Sequence, residues 1–167
     1  MTVFNEFSKL VQVAIRNPLN SFESDQKLLD EWQDLRFHSK PELEESINEY
    51  SAFKKILGST GVEIIDLPQS NNLTIDSIYT RDSILISPKG LILCNMGRAS
   101  RTPEAKNNSE YLKSLGHEVA GEILAPGTLE GGDFIWLNNS QCAVGLGPRT
   151  NQEGISQLAE ILGKDIE

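Results

Sequence analysis

At 167 residues, with 38% hydrophobic content and a mean hydropathy of −0.30, the chain can bury one ordinary core, so a single domain over 1–167 is expected. Its 15 basic and 24 acidic residues leave a net charge of −9, which argues against non-specific binding of nucleic acid or anionic membrane, both of which need a positive surface. No apolar run approaches bilayer length, the N-terminus lacks a basic start with an apolar stretch, and Cys94 and Cys142 sit far apart inside apolar runs; a cytoplasmic protein with reduced, buried thiols is expected.

In chain order, Phe7 to Ile15 alternates loosely and stops at Asn17-Pro18, as a strand does. Ser21 to Lys40 is polar with scattered aromatics and reads as a long loop or short helices. Leu43, Ile47, Tyr50, Phe53, Ile56 and Leu57 keep helical spacing, with Ser39 as N-cap, Pro41 in the first turn and Gly58 as the stop. Val62 to Leu67 is a short strand. Ser77 to Ser87 and Leu91 to Asn95 read as two strands joined across Pro88-Lys89-Gly90. A helix then runs from Thr102-Pro103-Glu104 to about Leu115, stopped by Gly116, and Glu118 to Leu124 is a strand. Glu130 to Leu137 and Gln141 to Leu146 repeat the paired strands, followed by a helix from about Asn151 to Leu162 that ends at Gly163.

The order strand, strand, helix, strand therefore recurs at a spacing of about fifty residues, which suggests a propeller-like α/β architecture whose units stack to complete a core. The last cycle lacks its final strand, so a chain truncated before its C-terminal units is expected.

Candidate chemistry lies on the turns between these elements. In Glu130-Gly131-Gly132-Asp133 two glycines between carboxylates permit a tight turn and close approach of a ligand, although an ordinary acidic loop has the same composition. Strand alternation places Asp76 and Asp82 on one face and Arg81 on the other, an arrangement equally suited to a strand-edge salt bridge. Arg98 and Arg101 precede a helix N-terminus and form a fork suited to a carboxylate, or else lie in solvent. Thr150 or Asn151 caps the last helix, and Arg149 could meet Asp133 or Glu153 rather than a ligand. His38 and His117 are isolated, and neither cysteine has the neighbours that would activate a thiol. No phosphate-binding glycine loop or metal-ligand cluster is present, so no cofactor is expected.

The text Leu73-Thr74-Ile75-Asp76-Ser77-Ile78-Tyr79-Thr80-Arg81-Asp82, then Met96-Gly97-Arg98-Ala99-Ser100-Arg101, then Gly127-Thr128-Leu129-Glu130-Gly131-Gly132-Asp133, then Gly145-Leu146-Gly147 with Arg149-Thr150-Asn151-Gln152-Glu153-Gly154, resembles the guanidino-group-modifying, or pentein, superfamily. The bacterial dimethylargininase-like members are the nearest in look. The resemblance implies an α/β propeller of strand-strand-helix-strand units around a central site, of which this chain would carry a little over half. It also implies that Asp76 and Asp82 lie at a guanidinium, that Glu130 assists catalysis beside a histidine, and that Arg101 and Arg149 hold the substrate carboxylate. The implied reaction is hydrolysis of an arginine derivative such as dimethylarginine through a cysteine thiolate and a covalent amidino intermediate, without a cofactor. Amidinotransferase and arginine deiminase are alternatives within the superfamily, and a non-catalytic arginine-binding or regulatory module is one from another class. No His or Cys of this sequence occupies a matching motif, so the chain alone is expected to be inactive. The implied partner is a small molecule, arginine or methylated arginine, and a homodimer is compatible with the reading.

Overall fold

The computed structural model describes residues 5–167. The chain divides into two compact units, one of Leu10–Thr80 and one of Arg81–Glu167 with residues 5–9. Among the described residues no helix is long and apolar enough to cross a membrane.

In the first unit, β1 (Gln12–Ile15) pairs in parallel with β2 (Glu63–Asp66), Gln12 opposite Glu63 and Ile15 opposite Asp66. Parallel pairing requires a crossover, and here it holds α1 (Pro18–Ser21), α2 (Asp25–Glu31) and α3 (Leu43–Ser59). Asn17 caps α1 ahead of Pro18, and Ser24 caps α2 through the amide of Lys27. The polar stretch after Ser21 thus contains a true helix. In α3 the capping position is Glu42 rather than Ser39: the chain stays extended through Glu42 after Pro41, and no side chain caps the helix. The helix runs past Gly58, and Gly61 takes the positive φ of 80°. Phe22, Leu28, Leu35 and Ile75 form one buried cluster of this unit, with Trp32, Phe37, Leu43 and Ile78 packed against it, and Val62, Ile65, Leu67 and Leu73 are buried as well.

The strand expected from Ser77 to Ser87 is mostly absent. Residues Ile75–Ile78 and Thr80–Asp82 are 3-10 turns, and only Ile84–Ser87 (β3) is extended. The amides of Ser77 and Tyr79 bond the carbonyls of Thr74 and Asp76, and Ile75 and Ile78 sit three residues apart facing one core. That period of three suits a 3-10 helix and defeats an alternating strand. Asp76 and Asp82 consequently do not share a strand face.

The second unit follows the expected cycle. β3 pairs antiparallel with β4 (Gly90–Leu93), α4 (Pro103–Ser114) follows, and β5 (Val119–Glu122) returns parallel to β4. The pattern restarts with β6 (Phe134–Asn138) antiparallel to β7 (Gln141–Val144), then α5 (Gln152–Leu162). Asn151 caps α5 by accepting from the Gly154 amide, and Gly163 ends it at φ 83°. The two cycles also match in hydrogen bonding. Leu91 N donates to Glu118 O at 2.9 Å just before β5, and Cys142 N donates to Glu167 O at 2.8 Å, while Glu167 N returns to Ser140 O. The core of this unit contains Leu85, Ile92, Cys94, Met96, Ile123, Leu129, Phe134, Trp136, Leu158 and Leu162. Cys94 is buried as expected, whereas Cys142 is only half-buried, and both thiols are free. The class is mixed α/β, and the sheets are a pair, a triplet and a pair of strands.

Candidate active site

Four turns of the second unit carry the charged residues, and hydrogen bonds knit those turns together. The first ends at Asp82, immediately before β3. The second, Met96 to Glu104, leads from β4 into α4. The third, Gly127 to Asp133, leads into β6. The fourth, Gly145 to Asn151, leads from β7 into α5.

Glu130 is buried, with 8% of its side chain exposed, and it is not unpaired. Arg149 Nη1 reaches both of its oxygens, at 2.8 and 3.0 Å, and the Gly97 amide donates to Oε1 at 3.1 Å. Arg149 thus meets neither Asp133 nor Glu153 but Glu130. Its neighbours grip the same loop. The buried Thr150 hydroxyl accepts from the Glu130 amide at 3.1 Å and donates to Asp133 Oδ2 at 2.6 Å. Asn151 Oδ1 accepts from the Thr128 amide at 3.0 Å while also capping α5. Three consecutive residues therefore fix the acidic loop through their side chains, the last of them also capping α5.

The glycines of that loop answer to the protein itself. A Cβ on Gly131 would collide with the carbonyl oxygen of Arg81, and one on Gly132 would lie 2.9 Å from Asp82 Oδ1. Gly97 likewise has the Arg149 backbone against it, where a Cβ would sit 2.6 Å from Arg149 Cα. The close approach expected at this loop is thus made first by the Arg81-Asp82 turn.

Asp82 accepts from Arg101 Nη1 at 2.7 Å. Arg101 is not a free fork ahead of α4, and it does not lie in solvent. It is buried, and its Nε and Nη2 pair with the two oxygens of Glu104 at 2.7 and 2.8 Å. Burial works against its charge, yet the bonds and charge of Glu104, and then of Asp82, hold the guanidinium above its ordinary range. Glu104 was not singled out in the sequence. Its signal was available, since Arg101 and Glu104 lie three apart across a helix start, but an exposed first-turn acid has the same spacing. Arg81 lies elsewhere, donating to Glu6 and to the Phe134 carbonyl at 2.9 Å each.

Asp76 belongs to the other unit, where it is buried within the 3-10 turn Ile75–Ile78. Of the five residues singled out in the sequence, the second unit therefore gathers Asp82, Arg101, Glu130 and Arg149 on interlocked turns. Neither thiol is primed for attack. Burial, then the charge of Asp82, and also that of Glu130, push the Cys94 thiol well above its usual range, and burial raises that of Cys142. Among the described residues no group of three or more His, Cys, Asp or Glu side chains is placed to hold a metal.

Known proteins resemble this chain in sequence and in fold. Residues 21–165 match the family model described as N,N dimethylarginine dimethylhydrolase, eukaryotic. The chain is 29% identical over 125 residues to the N(G),N(G)-dimethylarginine dimethylaminohydrolase of Pseudomonas aeruginosa, covering 75% of this chain and 48% of that protein. It is 31% identical over 117 residues to an uncharacterized protein of Aeropyrum pernix, covering 69% and 43%. The chain thus spans about half the length of the curated relatives it matches. A structure of the Pseudomonas aeruginosa enzyme, a mutant complexed with citrulline, superposes with a TM-score of 0.75 at 26% identity over 92% of this chain and 56% of that one. The N-terminal domain of ArgZ, a cyanobacterial arginine dihydrolase, shares the fold alone, with a TM-score of 0.74 at 14% identity over 91% and 55%. With the family model covering most of its length, the chain belongs to the N,N-dimethylarginine dimethylhydrolase family.

Proposed function

We propose that this chain supplies the guanidinium-recognition half of a dimethylarginine dimethylaminohydrolase-like site, within a pentein-type propeller. The observation that carries the reading is the pairing of Asp82 with Arg101 and of Glu130 with Arg149 on interlocked turns, in a chain of this family. Asp82, partly exposed, takes the cationic end of an arginine derivative. Arg149, with 36% of its side chain exposed and only Nη1 engaged among the described residues, meets the carboxylate end. Arg101 serves behind Asp82 rather than at the ligand carboxylate, because its donors are turned to Asp82 and Glu104. Fixing both ends of a zwitterion orients the guanidinium carbon for attack and removes much of the entropic cost of reaction.

In the reaction we assign, a thiolate adds to that carbon, dimethylamine leaves with a proton, and water cleaves the amidino-thioether to give citrulline and restore the thiol. The thiolate and the histidine that moves protons come from outside residues 1–167. Cys94 is sealed in a core, and neither His38 nor His117 shares a hydrogen bond with Glu130. The test is calorimetric titration of the chain with L-arginine and with NG,NG-dimethyl-L-arginine, alongside an assay for citrulline. Saturable binding without citrulline supports the reading. Absence of binding to both overturns it for this chain, and citrulline production overturns the placement of the nucleophile.

A further inference from the structure

Asp82, Arg101 and Glu104 form one chain of alternating charge, two carboxylates sharing a single guanidinium. Its members differ sharply in access to solvent. The side chains of Glu104 and Arg101 are 1% and 4% exposed, and that of Asp82 is 23% exposed. Glu104 occupies Nε and Nη2 together in a bidentate fork, leaving Nη1 directed at Asp82 Oδ2. The orientation of the guanidinium is therefore fixed from the α4 side, independently of Asp82. Without Glu104, the charges of Arg101 and Asp82 would cancel, and the pair would be neutral toward an incoming cation. With Glu104, the guanidinium is already neutralised from behind. The excess negative charge of the three groups emerges at Asp82, the one member that solvent reaches.

The helix grips the same turn at a second point. One turn after Glu104, the buried Asn108 donates from Nδ2 to the Ser83 hydroxyl at 2.9 Å, next in sequence to Asp82. Glu104 and Asn108, at i and i+4, thus share the buried face of α4 and hold Asp82-Ser83, one through Arg101 and one directly. Opposite Arg101, the absence of a side chain at Gly132 leaves room for Asp82 Oδ1.

We propose that Glu104 is a positioning residue that makes Asp82 the cation-receiving end of this buried chain. The proposal rests on the reading of Asp82 as the guanidinium-binding carboxylate, and it adds the group that keeps Asp82 both oriented and in charge excess. The test compares wild type with Glu104→Gln, which keeps volume but loses the charge and half of the fork. The first readout needs no ligand: the Arg101 Nε–H resonance in 15N NMR, assigned by its loss in Arg101→Lys. Its exchange is expected to be slow in wild type and to accelerate at least about tenfold in Glu104→Gln. The second readout is affinity for L-arginine, expected to weaken about tenfold, while the exposed control Glu110→Gln changes neither. Should Glu104→Gln not fold, Glu104→Asp reads the same quantity, since it keeps the charge but is one methylene too short to hold both nitrogens. An Arg101 Nε–H signal that stays equally protected overturns the proposal, as does unchanged arginine affinity in Glu104→Gln. If wild type binds no arginine, the guanidinium reading of Asp82 fails on its own, and the Nε–H exchange still decides whether Glu104 holds Arg101.

Discussion

Asp82 Oδ1 occupies the space that a side chain on Gly132 would need, 2.9 Å from where its Cβ would sit, whereas the same construction at Gly131 strikes the backbone carbonyl of Arg81. The two glycines of one motif therefore guard different things. A carboxylate tip can rotate away, but a peptide carbonyl moves only with its chain. Gly132→Ala is expected to cost less than about 1 kcal/mol in stability while weakening L-arginine binding about tenfold. Gly131→Ala is expected to cost about 1–3 kcal/mol through overpacking. Urea unfolding of the two variants, with a titration of Gly132→Ala, checks this; the reverse order of stabilities would refute it.

Arg149 shields a buried carboxylate. Arg149→Ala leaves Glu130 with the Gly97 amide as its remaining donor among the described residues, and is expected to destabilise the chain by about 1–3 kcal/mol, the lower end reflecting the half-exposed arginine. Glu130→Gln combined with Arg149→Ala should recover part of that loss, because the charge left stranded is then gone. A double-mutant cycle by denaturant unfolding measures the coupling, and strict additivity would show that the two do not act as a pair.

Thr150→Val preserves shape and removes only the hydroxyl. It strands the buried Glu130 amide and takes a donor from the half-buried Asp133 Oδ2, so a loss of about 1–3 kcal/mol is expected. Thr150→Ser keeps the hydroxyl and should lose less. A Thr150→Val variant as stable as Thr150→Ser would mean that the methyl, not the bond, matters there.

The Cys94 thiol gives a pH dependence with a definite sign. Its folded pKa is raised above the unfolded value near 9, so the folded chain keeps a proton that the unfolded chain has lost. The contribution is fully present below about pH 9 and declines above it, by at most about 1.4 kcal/mol per pH unit. Unfolding measured at increasing pH on wild type and Cys94→Ala should show a steeper decline for wild type. Parallel curves would mean that Cys94 titrates normally. In the native state near neutral pH the same burial should keep Cys94 unreactive toward a thiol reagent until the chain unfolds.

Much of the second unit was legible in the residues. Pro103, Gly116, Asn151 and Gly163 punctuate helices that the structure contains, and the Pro88-Lys89-Gly90 turn joins the hairpin predicted there. The segment from Ile75 to Asp82 was not legible as built. Its apolar residues fit a two-residue period well enough to suggest a strand, and only the packing of Ile75 and the half-buried Ile78 into one cluster shows a period of three. The charges of the site were legible one by one, as Asp82, Arg101, Glu130 and Arg149, but their partners were not. Glu104 resembles any acid in a first helical turn, and Thr150 any helix cap; only tertiary packing reveals that one holds an arginine and the other ties a loop to Asp133. Sequence spacing carries residue type and periodicity, whereas the pairing of loops far apart in the chain is decided by the sheets that bring them together.

The bridge between Glu167 and the Ser140 to Cys142 edge covers backbone groups of β7 that a bare strand edge would offer to other chains. Glu167 takes the place along β7 that Glu118 takes along β4. Because both bonds to Glu167 are made by its backbone, a change of its side chain leaves them in place, and the cover depends on the path of the chain rather than on residue type.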